Sequence, residues 1–97
     1  MSMKYLRVTW KHSFVDEPRL LYSEVDQRRF ERRKVEVFPD GHMDYADADT
    51  SSGSTELGLM AIPELCEIAA DPEFEPTEIT KDDFERVWAQ CRAGLIR

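Results

Sequence analysis

Hydrophobic and polar residues alternate strictly along Lys4-Tyr5-Leu6-Arg7-Val8-Thr9-Trp10, the period of a half-buried β-strand. Leu6, Val8 and Trp10 fall on one face, Tyr5, Arg7 and Thr9 on the other. A loop from Lys11 to Pro18 leads to a second strand over Arg19–Val25. Asp26-Gln27-Arg28 can reverse the chain into a third strand, from about Phe30 to Phe38. Val35 and Val37 share a face of that strand. Phe30 and Phe38 have the opposite parity, which calls for a bulge or for cover on both faces. Pro39-Asp40-Gly41 then supplies turn chemistry: a preset φ, a side-chain acceptor and a residue free to take positive φ. A short strand returns through Met43 to Ala46, and this hairpin is expected at the middle of the sheet.

Helical periods follow a polar loop over residues 47–55. The first helix is expected from Pro63, a favoured first-turn residue, with Leu65, Ile68 and Ala69 as its buried stripe and Pro72 ending it. Phe74–Ile79 reads as an extended linker or short strand. In the last element Thr80 and Asp83 form a capping box, with Ile79 and Phe84 placed for a hydrophobic staple. Phe84, Val87, Trp88, Cys91 and Leu95 recur on one helical face, with Gly94 placed to stop the helix. Removing Trp88 from the middle of that stripe is expected to cost about 3–5 kcal/mol. The pattern as a whole predicts an α+β fold: a four-stranded, mainly antiparallel meander with two C-terminal helices on the face of Leu6, Val8, Trp10, Val35 and Val37.

Length and charge narrow the picture further. With 97 residues, 41% of them hydrophobic, the chain reads as a single domain spanning 1–97. No apolar run approaches the roughly 18–20 residues of a membrane helix, and no signal peptide is evident at the start. With Cys66 and Cys91 in expected helices, reduced thiols and a cytoplasmic location are the better reading. The net charge of −7 is unevenly spread. Residues 1–40 carry nine basic and seven acidic side chains, residues 41–97 four basic and thirteen acidic. From Asp44 to Thr80 there are ten acids and no Lys or Arg. Such a run disfavours nucleic acid and would attract a basic protein, although ordinary solubility is the simpler account of it.

Several segments resemble a family of small bacterial proteins classed as a domain of unknown function. They are Tyr5-Leu6-Arg7-Val8-Thr9-Trp10, Leu21-Tyr22-Ser23-Glu24, Arg33-Lys34-Val35-Glu36-Val37-Phe38 with Asp40-Gly41, and Tyr45-Ala46-Asp47. Ile62-Pro63, Asp71-Pro72-Glu73-Phe74, Ile79-Thr80-Lys81 and Phe84-Glu85 with Trp88 continue the likeness. The resemblance spans nearly the whole chain and implies a bacterial, stand-alone, single-domain protein. It brings no activity, substrate or site residues.

No motif reaches the level of a chemical mechanism. Asp47, Asp49, Ser51 and Glu56 suggest a calcium loop, but an EF-hand counted from Asp47 meets Ser52 where glycine is required and Gly58 where glutamate is required. His12, His42, Cys66 and Cys91 show no zinc-ligand spacing, and no cofactor is expected. The cluster Arg28-Arg29-Phe30-Glu31-Arg32-Arg33-Lys34 is broken by Glu31, and strand alternation divides it between two faces. What remains is surface. The sheet side opposite the helices is expected to show Tyr5, Arg7, Thr9, Tyr22, Glu24, Arg32, Lys34 and Glu36. Tyrosine and arginine are enriched at interfaces. Candidate interaction residues are therefore Tyr5, Tyr22, Arg32 and Lys34 on that face, and Asp44, Asp47, Asp49 and Glu56 in the acidic segment. The first functional expectation is an interaction module rather than an enzyme, in its sharpest form an immunity or inhibitor protein for a basic partner. The alternative is a small enzyme or ligand-binding domain with a pocket between sheet and helices, using Trp10, His12, Tyr22 and Arg33.

Overall fold

The computed structural model describes residues 2–94. Its elements are β1 (Lys4–Trp10), β2 (Leu20–Val25), β3 (Glu31–Val37), β4 (Met43–Ala46), α1 (Leu65–Ala69), β5 (Phe74–Ile79) and α2 (Lys81–Gly94). The fold is α+β, and the sheet has five strands rather than four, in the order β4-β3-β2-β1-β5 with every pairing antiparallel. The first four strands form the expected meander. The fifth is Phe74–Ile79, the segment read as an extended linker or short strand, whose Pro76 and two glutamates weaken the strand signal. It pairs along the free edge of β1, where a proline is tolerated and charges discourage further pairing. The β3–β4 hairpin consequently lies at one end of the sheet, with β2 in the middle.

Only α2 is C-terminal; α1 precedes β5. The helices also do not share a face. α2 covers the side that carries Tyr5, Tyr22, Glu24, Arg33, Val35, Val37, Met43 and Tyr45. There Val35, Tyr45 and Cys91 form a buried cluster, with Val87 and Trp88 packed against it. The opposite side, with Leu6, Val8, Trp10, Ser23, Val25, Glu31, Lys34 and Glu36, is roofed by the segment 47–64 and α1. Both parity solutions for β3 therefore occur together. Glu24 pairs Arg33 while Val25 pairs Glu31, leaving Arg32 as the extra residue of a bulge, and both faces are covered.

Local chemistry sets the turns and ends. Gly41 takes φ 93° in the β3–β4 turn, where Asp40 Oδ1 accepts the His42 N–H at 2.9 Å. The α2 capping box is complete, Thr80 Oγ1 accepting the Asp83 N–H at 3.0 Å and Asp83 Oδ2 the Thr80 N–H at 3.2 Å. Phe84 on α2 is fully buried, while Trp88 is half-buried between two arginines. The expected Leu95 position of the stripe lies outside the described residues. α1 spans five residues and none is buried, so the stripe expected at Leu65, Ile68 and Ala69 does not form a core.

The roof over the second face is held by polar groups. Arg29 (φ 71°) donates from its guanidinium to the carbonyls of Ile62 (2.9 Å) and Pro63 (2.6 Å), and its own carbonyl accepts the Ile62 N–H at 2.7 Å. The buried Glu31 carboxylate accepts from Ser23 Oγ and from the Gly58 N–H, both at 2.8 Å, with Lys34 Nζ 3.3 Å away. Thr55, also buried, donates to Glu36 at 2.5 Å. Because a buried group stripped of its partner carries a desolvation cost, Glu31→Ala should destabilise by about 1–3 kcal/mol. It should also speed limited proteolysis within residues 47–64. An unchanged urea midpoint together with an unchanged cleavage rate would contradict this role.

Candidate functional site

The eight candidate residues do not share one surface. Tyr5 is buried beneath α2, its ring 5.4 Å from Phe84, with Glu24 as its cross-strand neighbour. Burial and that carboxylate push its hydroxyl pKa up. Tyr22 packs half-buried against the Val35 cluster. Lys34 lies on the other face beneath the roof, where its Nζ donates to the Glu56 carbonyl at 3.1 Å. Arg32 projects from the bulge and pairs with Asp26 at 2.9 Å. The expected open sheet face therefore does not exist as one surface. The β2–β3 register, with Tyr22 opposite Val35 and Ser23 opposite Lys34, and the two-sided cover divide its members between two packed layers, so parity within single strands misplaces them.

Beneath α2 the charged residues form a clamp. Arg33 Nε and Nη2 donate to the two oxygens of Glu24, both at 2.8 Å. Nη1 and Nη2 donate to Glu85 on α2 at 3.0 and 2.6 Å. The guanidinium also lies 4.9 Å from the Phe84 ring centroid and 5.0 Å from that of Trp88. Hydrogen bonding to Arg33 holds the Glu24 and Glu85 carboxyls below their usual range and raises Arg33 in turn. Both carboxylates are engaged by the one guanidinium, so the clamp fastens the helix to the sheet.

The pocket residues expected of a small enzyme are likewise separated. Trp10 and His12 sit at one corner, their rings 4.4 Å apart, whereas Tyr22 and Arg33 occupy the opposite face. His12 is taken up locally: Nε2 meets the Pro18 carbonyl at 2.7 Å and Nδ1 accepts the Phe14 N–H at 2.9 Å, a pattern that fits the Nε2–H tautomer. Cys91 is buried, which raises its thiol pKa, and Cys66 is exposed on α1; neither is in a disulfide. Among the described residues no three of His, Cys, Asp and Glu gather into a metal-binding group, and no helix is long and apolar enough to cross a membrane.

The acidic candidates do stay together. Asp44 accepts the Ser52 hydroxyl at 2.9 Å and lies 3.6 Å from His42 Nε2. Asp47 is a loop organiser: its Oδ1 accepts the backbone N–H groups of Asp49 (2.9 Å) and Thr50 (2.7 Å), which depress its pKa. Asp49 and Glu56 are exposed beside it and line a shallow concavity with Asp47. Further along the segment Glu67, Asp71, Glu73 and Glu78 are also exposed. These four, with Asp49 and Glu56, have no salt-bridge partner among the described residues.

Between the sheet and α1 lies an open, largely apolar groove of about 380 Å³. Val8, Leu21 and Phe74 give its sheet wall, Ile62 and Ile68 its outer wall, and Glu67 and Asp71 are at its lip. The sequence signals for it are indirect. Ile62-Pro63 and Phe74 stand out, but the groove exists because β5 extends the sheet under α1.

A family model described as "Domain of unknown function (DUF6881)" matches residues 4–93. The chain belongs to the DUF6881 family. No curated protein and no solved structure matches it. Membership of DUF6881 brings no activity with it, so function rests on the surface described above.

Proposed function

We propose that this protein is a bacterial, cytoplasmic interaction module whose partner is a basic protein, in its sharpest form a toxin or enzyme that it inhibits. The observation that carries the reading is the way the acid-rich segment Asp44–Thr80 is spent. Folded across one side of the sheet, it leaves six of its ten carboxylates exposed without a cationic partner among the described residues. Lone surface acids serve solubility; six on one continuous wrap set up a directed negative potential that speeds encounter with a basic surface. Separation of Trp10 and His12 from Tyr22 and Arg33 removes the main support for an enzyme.

The clean probe is Asp49→Lys with Glu56→Lys, since Asp47 organises the loop and its reversal would unfold it locally. Immobilised wild-type and doubly reversed proteins are exposed to lysate of the host. Proteins kept by the wild type and lost by the variant should have isoelectric points well above neutrality. A retained set that is acidic or neutral, or that ignores the reversals, would overturn the reading.

A further inference from the structure

We propose that the groove between the sheet and α1 seats one apolar side chain of the partner, from a segment in which that residue is flanked by Lys or Arg. The proposal rests on the basic-partner reading and adds where and how the partner docks. Three observations support it. The walls at Val8, Leu21, Ile62, Ile68 and Phe74 are apolar although the groove is open to water, an arrangement typical of binding clefts. Its lip carries Glu67 and Asp71, both exposed, with Glu73 beside them in sequence and Glu64 bound only loosely by Arg29 at 3.7 Å. Cations flanking an apolar anchor would meet those carboxylates, so charge complementarity selects a basic segment over an acidic one. Finally, the roof leading into the groove exposes Leu59 and Met60, at 94% and 81%. Two adjacent large apolar residues so fully in water, three and two positions before the groove wall at Ile62 in the chain, offer further contact surface.

The floor sets a limit on the occupant. Glu31 and Lys34 reach the groove but are already bonded to each other and to the roof. A seated residue therefore gains nothing by bringing a polar head to the floor. Leucine, isoleucine, methionine or phenylalanine suits the site, and serine or glutamine does not.

The test uses three synthetic peptides with isotope-labelled full-length protein: Arg-Lys-Leu-Lys-Arg, the same with serine in place of leucine, and Glu-Asp-Leu-Asp-Glu. The leucine peptide should shift methyl resonances of Val8, Leu21, Ile62 and Ile68 saturably. It should bind at least about tenfold more tightly than the serine peptide, as burial of one large apolar side chain implies. The acidic peptide should leave those resonances unmoved. Ile68→Ser, half-buried on a helix without buried residues, should remove the leucine preference while keeping the fold. Glu67→Lys should weaken both basic peptides. If leucine and serine peptides bind alike, with shifts confined to residues 47–56, the groove proposal fails and the basic-partner reading stands. If neither basic peptide binds, both fail. Concentration-dependent dimerisation that closes the groove to peptide would also overturn it, by making a second copy the occupant.

Discussion

Replacing Arg33 with methionine is expected to cost about 3–5 kcal/mol, the scale seen when one member of a buried ion pair is removed. Methionine keeps much of the apolar contact with Phe84 and Trp88, so the loss isolates the charge. The cause is less the lost attraction than the stranded partner. Glu24 is 10% exposed in its side chain and would remain buried without its two guanidinium bonds. Lysine at the same position should recover part of the loss, because one ammonium cannot reproduce the paired geometry to two carboxylates. The pH dependence follows from the signs. In the wild type, Arg33 depresses Glu24 and Glu85 below their usual 4.5. Their contribution is therefore fully present above that value and is lost as pH falls through the depressed folded-state values. In the methionine variant the lowering by Arg33 is gone. Burial, helped by the Glu85 charge, then outweighs the lowering by the Tyr5 hydroxyl and raises Glu24, so acid relieves the penalty. Urea midpoints of the two proteins should thus converge below about pH 4.5. A stability gap that stays constant from neutral to acid pH would contradict the clamp.

Phe84→Ala is the second large effect, also about 3–5 kcal/mol. Phe84 is 0% exposed and is the largest fully buried side chain, touching Tyr5, Trp88 and Arg33. Trp88→Ala should cost clearly less, although tryptophan is larger. One side of Trp88 is closed by arginine stems and Tyr45, which can relax into the space. Thermal unfolding of the two variants decides the order. A Trp88→Ala protein that melts lower than Phe84→Ala would place the centre of the α2 interface one turn further along the helix.

That reversal of rank shows where sequence reasoning stops. The helical period of α2 identified the right face, and Thr80 with Asp83 identified its start, because both signals are local. The bounds of β1 and the turn at Asp40-Gly41 were legible for the same reason. β5 was legible as an extended stretch with the right bounds, but its pairing was not, since its partner strand is more than sixty residues away and its own pattern is diluted by Pro76, Glu75 and Glu78. Without that pairing both helices were expected on one face of the sheet, and the groove under α1 had no floor from which to be read. The split of Tyr5 and Tyr22 from Lys34 depends on the β2–β3 register, Tyr22 opposite Val35 and Ser23 opposite Lys34, which no local pattern gives. The Arg32 bulge, signalled by the parity of Phe30 and Phe38 without its position, then brings Glu31 to the Lys34 face. Of the candidate surface, the acidic part was legible because charge needs no partner to be read. Its division into Asp47, which builds the loop, and Asp49 and Glu56, which are exposed, required the hydrogen bonds themselves.

The most direct test of an electrostatically guided module is kinetic. Raising ionic strength from about 0.01 to about 0.15 M shortens the screening length from about 30 to about 8 Å. Over that range the association rate with the basic partner should fall at least about tenfold, with little change in dissociation. The Asp49→Lys, Glu56→Lys protein should start slower and respond much less to salt. An association rate that is insensitive to salt and identical in the two proteins would contradict the account.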